Sequence, residues 1–177
     1  MMDPVASLKA HQPSHEFLIA IDSDGCAFDT MEIKHKECFI PNIIKYWDLQ
    51  PVSKYARAAA EFVNLYSTWR GINRFPALLM VFDLLNDWDK VQEREFRCPD
   101  VASLREWVVK ESKLGNPVLE TYCKAHPDDP VMARALEWSK AVNRTVADIV
   151  QGGLPPFPYV RECVEKAHVR AGMLVCW

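Results

Sequence analysis

The run Phe17-Leu18-Ile19-Ala20-Ile21 is apolar at every position and stops abruptly at Asp22-Ser23-Asp24-Gly25. A strand apolar on both faces needs cover on both, which helices packed above and below a parallel sheet supply. The sequence therefore predicts an α/β core with its aspartates just beyond the carboxyl end of the first strand, where open α/β sheets bind ligands. Two carboxylates two residues apart can both reach one site there. They repel, and one is driven towards its protonated form unless a cation neutralises them. A hard, oxygen-binding ion such as Mg²⁺ does this, and it also screens the charge of an anionic substrate.

From Thr30 to about Val150 the pattern is helical. Thr30 is placed as an N-cap ahead of Ile33, Ile40, Ile44 and Trp47, with Pro41 expected to kink or divide the segment. Val52, Tyr55, Ala59, Phe62, Val63 and Tyr66 follow at helical spacing, with Pro51 suited to a first turn. Further starts are expected at Pro76, Asp100 and Asp129-Pro130, with turns at Gly71-Ile72-Asn73-Arg74 and Leu114-Gly115-Asn116-Pro117. The tract Gly152-Gly153-Leu154-Pro155-Pro156-Phe157-Pro158 breaks the pattern; one more helix and a buried strand, Met173 to Trp177, come after it. The expected organisation is a core strand and aspartate loop over residues 1–30, an all-helical insert over 31–150, and a return to the core over 151–177.

The loop Asp22-Ser23-Asp24-Gly25-Cys26-Ala27-Phe28-Asp29-Thr30 resembles the DxDGxxxD[ST] motif of haloacid-dehalogenase-superfamily phosphatases and phosphomutases. The resemblance implies a Rossmann-like core carrying an inserted helical cap, of which only the first two core strands are encoded here. It implies that Asp22 is the nucleophile that forms an aspartyl-phosphate, and that Asp24 protonates the leaving oxygen and later activates water. Asp22 through its carboxylate and Asp24 through its main-chain carbonyl would ligate Mg²⁺, and loop N–H groups around Ser23 to Gly25 would face the phosphate. Gly25 suits a close backbone approach. The family commonly has Thr-Leu after this Gly where the chain has Cys26-Ala27, and Cys26 is expected as a small buried filler. Asp24 argues against dehalogenation and carbon–phosphorus cleavage, whose branches commonly lack it.

Within the insert, Trp69-Arg70-Gly71-Ile72-Asn73-Arg74 resembles the glycine-and-arginine loop of β-phosphoglucomutase-like caps. By that resemblance Arg74 meets a phosphate or other anion on the substrate, and Arg70 stands where relatives often carry a basic residue. The bland reading of both is a pair of solvated helix-end arginines. His15, His35, His126 and His168 lack metal-site spacing and are expected at the surface; Trp47, Trp69, Trp107 and Trp138 are expected in the core, and Lys113 in solvent.

The net charge of −3, with no basic runs, offers no nucleic-acid footprint or membrane-surface patch, which leaves small or protein partners as the default; the resemblance implies a small phosphorylated substrate. Cys26, Cys38, Cys98, Cys123, Cys163 and Cys176 show no CxxC pairing and no export signal precedes them, so reduced thiols in a cytoplasmic protein are expected. No apolar run approaches the roughly 20 residues of a membrane span. The family completes its site with a Ser or Thr, a Lys and an acidic pair further along the chain. None is supplied by this sequence, so the expectation is an incomplete enzyme with little turnover of its own. The competing expectation is a non-catalytic helical interaction module that keeps the aspartate loop as a relic.

Overall fold

The computed structural model describes residues 6, 9, 10, 12, 18–170 and 172–176. Along the chain the elements are β1 (Leu18–Asp22), α1 (Thr30–Ile33), α2 (Ile40–Tyr46), α3 (Ser53–Glu61), α4 (Arg74–Asp87), α5 (Asp89–Gln92), α6 (Ala102–Lys110), α7 (Asn116–Ala125), α8 (Pro130–Gln151), α9 (Val160–Arg170) and β2 (Gly172–Cys176). π-helical stretches lie at Lys34–Phe39 and Phe62–Tyr66, and a 3-10 turn at Gln50–Val52. The protein is mostly helical. It falls into two compact units, one formed by Met1–Thr30 with Leu154–Trp177 and the other by Met31–Gly153.

In the first unit β1 and β2 pair in parallel, with Leu18 opposite Gly172 and Asp22 opposite Cys176. Phe17 and Trp177, expected in these strands, lie outside the described residues. The cover on both faces that the apolar run calls for is not supplied among the described residues: Ile19 is 39% exposed and Ala20 is exposed as well. Among the described residues this unit has two strands and one long helix, α9, and so little apolar surface to lay over the faces of β1.

The second unit owes its form to apolar side chains at helical spacing. Ile40, Ile44, Trp47, Val52, Ala59, Val63, Leu78, Phe82, Leu85, Leu104, Met132 and Trp138 make one buried cluster. The aromatic rings meet edge to face, as their quadrupoles favour. Phe75 stands against Trp107 at 5.1 Å and Trp138 at 6.0 Å, and Trp47 against Phe82 at 5.4 Å between centroids. Trp69 departs from the expected core placement at 43% exposure, because it sits in the turn between the second π-helical stretch and α4 rather than on a helix face.

Polar residues fix the helix starts. Asp129 caps α8 by accepting the Val131 and Met132 N–H groups, each at 3.1 Å. Asn73 caps α4, accepting from the Phe75 N–H at 3.0 Å, and its amide donates to the Leu114 carbonyl at 3.0 Å, which ties two of the turns together. Gly71 reaches φ +87°, a conformation that a side chain would strain.

Residues 30–46 form one helical run that widens to π over Lys34–Phe39 and returns to α at Ile40, one residue before Pro41. The Ile40 N–H reaches back five residues to His35, and Pro41, which has no N–H, then falls in the first turn of α2 where a donor is not needed. The expected division at Pro41 is thus a widening of the helix rather than a break. Among the described residues no helix is long and apolar enough to cross a membrane.

Candidate active site

Where β1 ends, the chain folds back on itself. The Ala27 N–H donates to the Asp22 and Ser23 carbonyls at 3.3 and 3.2 Å, the Phe28 N–H to the Ser23 carbonyl at 3.0 Å, and the Gly25 N–H to the Phe28 carbonyl at 2.9 Å. Gly25 adopts φ +71°, the left-handed conformation that such a closed turn requires. Its N–H is therefore engaged within the turn. The return segment pins the loop from outside, since the Phe157 N–H donates to the Ala27 carbonyl at 3.0 Å and Phe28 pairs antiparallel with Pro156. The sequence marks residues 152–158 only as a helix breaker. Their pairing with the aspartate loop is a backbone contact that carries no side-chain signal.

Asp22, the last residue of β1, is exposed, and so is Asp24 two positions on; Ser23 and Gly25 are half-buried. Ala27 is buried beneath them. Cys26 is exposed, which corrects the expectation of a buried filler: the inward position of this turn is taken by Ala27. Thr30 starts α1, but its hydroxyl turns back to Asp24 Oδ1 at 2.7 Å instead of capping the helix.

In the helical unit, Arg70 is exposed and Arg74 half-buried. Arg74 is not a solvated helix-end arginine. Its Nη1 donates to the Ser139 carbonyl at 3.1 Å, the Ser139 hydroxyl at 3.0 Å and Asn143 Oδ1 at 2.7 Å, and its guanidinium carbon lies 5.0 Å from the centre of the Phe39 ring. These partners are all neutral, so burial lowers the pKa of the guanidinium with no carboxylate to offset it. The residue acts as a tie between α4 and α8.

His35 corrects the expectation of a surface histidine. Its ring lies 4.7 Å from that of Phe39, and its Nδ1 is buried without a hydrogen-bond partner. Burial, reinforced by Arg74, Lys34 and Arg70, lowers its pKa to about 4, while Glu32 opposes the shift. Sequence spacing misses this because the π-helical stretch moves His35 out of α-helical register. By contrast His126 and His168 are exposed, as is Lys113; His15 lies outside the described residues.

The His35 shift has a sign that can be worked out. Between about pH 6.5 and 4 the unfolded chain holds the proton and the native chain does not. Stability is therefore full above about 6.5, declines as the pH falls to about 4, and levels off below. The whole effect is at most about 3 kcal/mol, reduced by solvent screening of a half-buried ring. Urea unfolding at pH 7 and pH 5 should show a larger loss for the parent than for His35→Gln. Equal losses would contradict the assignment.

Burial pushes Cys98 up to about 12 and also raises Cys38, which keeps both protonated, and Cys26, Cys38, Cys98, Cys123 and Cys163 are all free.

Mg²⁺ is held in proteins by one or two carboxylates together with waters and phosphate oxygens. An exposed pair of aspartates on a closed turn, all oxygen donors, fits that ion. Among the described residues no group of three or more His, Cys, Asp or Glu offers a richer metal cage. Comparison with protein-family models, curated proteins and solved structures finds no match to this chain.

Proposed function

We propose that the Asp22–Thr30 loop is the phosphoryl-accepting centre of a Mg²⁺-dependent phosphatase or phosphotransferase of the haloacid dehalogenase type, acting on a small phosphorylated metabolite, with the helical unit as its cap. The observation that carries this reading is the pair of exposed carboxylates on one internally bonded turn at the end of a parallel strand. Asp22 attacks phosphorus while the bond to the leaving oxygen breaks, and Asp24 gives that oxygen a proton. Asp24 then takes a proton from water, which attacks the aspartyl-phosphate and frees Asp22. The Asp22 carboxylate and the Asp24 main-chain carbonyl would hold Mg²⁺, which when bound would supply charge neutralisation for the phosphoryl group. Ser23 and Gly25 shape the loop beside it. By the resemblance of their loop alone, Arg70 and Arg74 are assigned to the substrate's anion.

Titration calorimetry with Mg²⁺ tests the metal half of the reading. Asp22→Asn removes the only carboxylate assigned to the ion and should weaken binding by at least about tenfold, the scale of losing one charged ligand interaction. Unchanged affinity would overturn the assignment. The exposed Phe62, Tyr66 and Trp69 favour a second reading, in which the helical unit binds a protein partner and the loop is a relic. That reading predicts no effect of Asp22 on either Mg²⁺ or phosphoryl capture.

A further inference from the structure

In the helical unit, the end of α6 and one face of α7 flank an open cleft of about 520 Å³. Trp107 and Tyr122 give it two large aromatic walls, and a concave, mostly apolar site of that size suits a small organic molecule. The polar groups that line it decide which kind. Glu111, just after α6, accepts the Ser112 N–H on Oε1 at 3.0 Å, and its Oε2 has no partner among the described residues. Nor does it pair there with a lysine or arginine; the neighbouring Lys110 is taken by Glu106. His126, just after α7, stacks its ring on that of Tyr122 with centroids 4.2 Å apart, and its Nδ1 lies 3.1 Å from the Tyr122 carbonyl. A carbonyl only accepts, so Nδ1 carries the proton and Nε2 of the neutral ring is left as an acceptor. Thr121 likewise gives its hydroxyl proton to the Pro117 carbonyl at 3.1 Å and keeps its lone pairs.

A carboxylate and two sets of lone pairs in one cleft repel an anion and suit a cation that donates hydrogen bonds. We propose that the cleft between α6 and α7 binds a small organic ammonium ion, its charge on the Glu111 carboxylate and its carbon skeleton against Trp107 and Tyr122. Aromatic faces attract such cations through the ring quadrupole, and the acceptors of Thr121 and His126 line the same space for its N–H groups. One carboxylate and one imidazole fall short of a metal cage, and no group of three or more His, Cys, Asp or Glu stands among the described residues, which favours an organic cation over a metal ion. The site uses no residue of the aspartate loop, so the inference holds whichever way that loop is read.

The test titrates the full chain, labelled for NMR, with benzylammonium, and with benzyl alcohol and benzoate as neutral and anionic compounds of similar shape. Saturable shifts of the Trp107 indole N–H and of the Glu111, Tyr122 and His126 amides are expected with benzylammonium. Affinity should be at least about threefold weaker for benzyl alcohol, and for benzylammonium in Glu111→Gln, the scale of one solvent-accessible charged contact. Glutamine keeps the length of the side chain and an oxygen for the Ser112 N–H, so the helices should be undisturbed. Absence of saturable shifts in the cleft would overturn the proposal, as would equal binding of the three compounds or unchanged affinity in Glu111→Gln. Shifts spread over carboxylates across the whole surface would overturn it too, since they would report only attraction to the net charge of −3. If Glu111→Gln disturbs the fold, the ranking of the three compounds on the parent chain still decides.

Discussion

Replacing Phe75 by Ala is expected to remove about 3–5 kcal/mol of stability, the cost of deleting a fully buried aromatic ring and leaving its cavity. Phe75 is 1% exposed and touches Trp107 and Trp138 edge to face, so its ring joins α4 to both α6 and α8. A loss of that size is a large fraction of the roughly 5–15 kcal/mol that holds a domain together. Urea unfolding followed by far-ultraviolet circular dichroism should show the midpoint falling sharply. Val109→Ala is the control, since Val109 lies on α6 at 86% exposure and should stay within about 0.5 kcal/mol of the parent. Equal shifts for the two variants would mean that the helical unit is not packed around Phe75.

The second large effect is chemical. Asp22→Asn should lower any Mg²⁺-dependent hydrolysis of a phosphate monoester by roughly 10⁴-fold or more, the scale on which removing a nucleophile acts in other covalent enzymes. The uncatalysed reaction is slow enough that even feeble turnover stands well above it. Asparagine keeps the shape of the aspartate but offers a poor nucleophile and no charge for the metal. The turn should survive, because its hydrogen bonds run through the main chain of Asp22, Ser23, Gly25, Ala27 and Phe28. Phosphate release from sugar phosphates and an aryl phosphate, with helicity checked in parallel, makes the comparison. Retained hydrolysis would place the chemistry elsewhere.

Local pattern made part of this legible in the sequence. The apolar run before Asp22 marks β1 to within one residue, and Asp129-Pro130 marks the start of α8, because a strand end and a helix cap are decided by neighbours in the chain. The turn chemistry of Asp22-Ser23-Asp24-Gly25 is equally local. What stayed hidden depends on distant residues or on a change of helical period. Arg74 meets Ser139 and Asn143 across the helical unit, and nothing near position 74 announces them. His35 turns inward through a π-helical stretch that a 3.6-residue period does not anticipate. Cys26 faces solvent because Ala27 takes the inner position of the turn, and Thr30 serves Asp24 rather than its own helix. Exposure along β1 is a matter of which elements cover it, not of its own composition.

Covalent capture is the most direct measurement of the central claim. The protein is incubated with Mg²⁺ and ³²P-labelled acetyl phosphate, quenched in acid, and digested; the labelled peptide is sequenced by mass spectrometry after conversion of the acyl-phosphate with hydroxylamine. Capture requires one phosphoryl transfer per molecule and no turnover. The account predicts label on Asp22 alone, dependent on Mg²⁺, released by hydroxylamine and lost in Asp22→Asn. Label on another residue, or labelling equal in the parent and in Asp22→Asn, would contradict it.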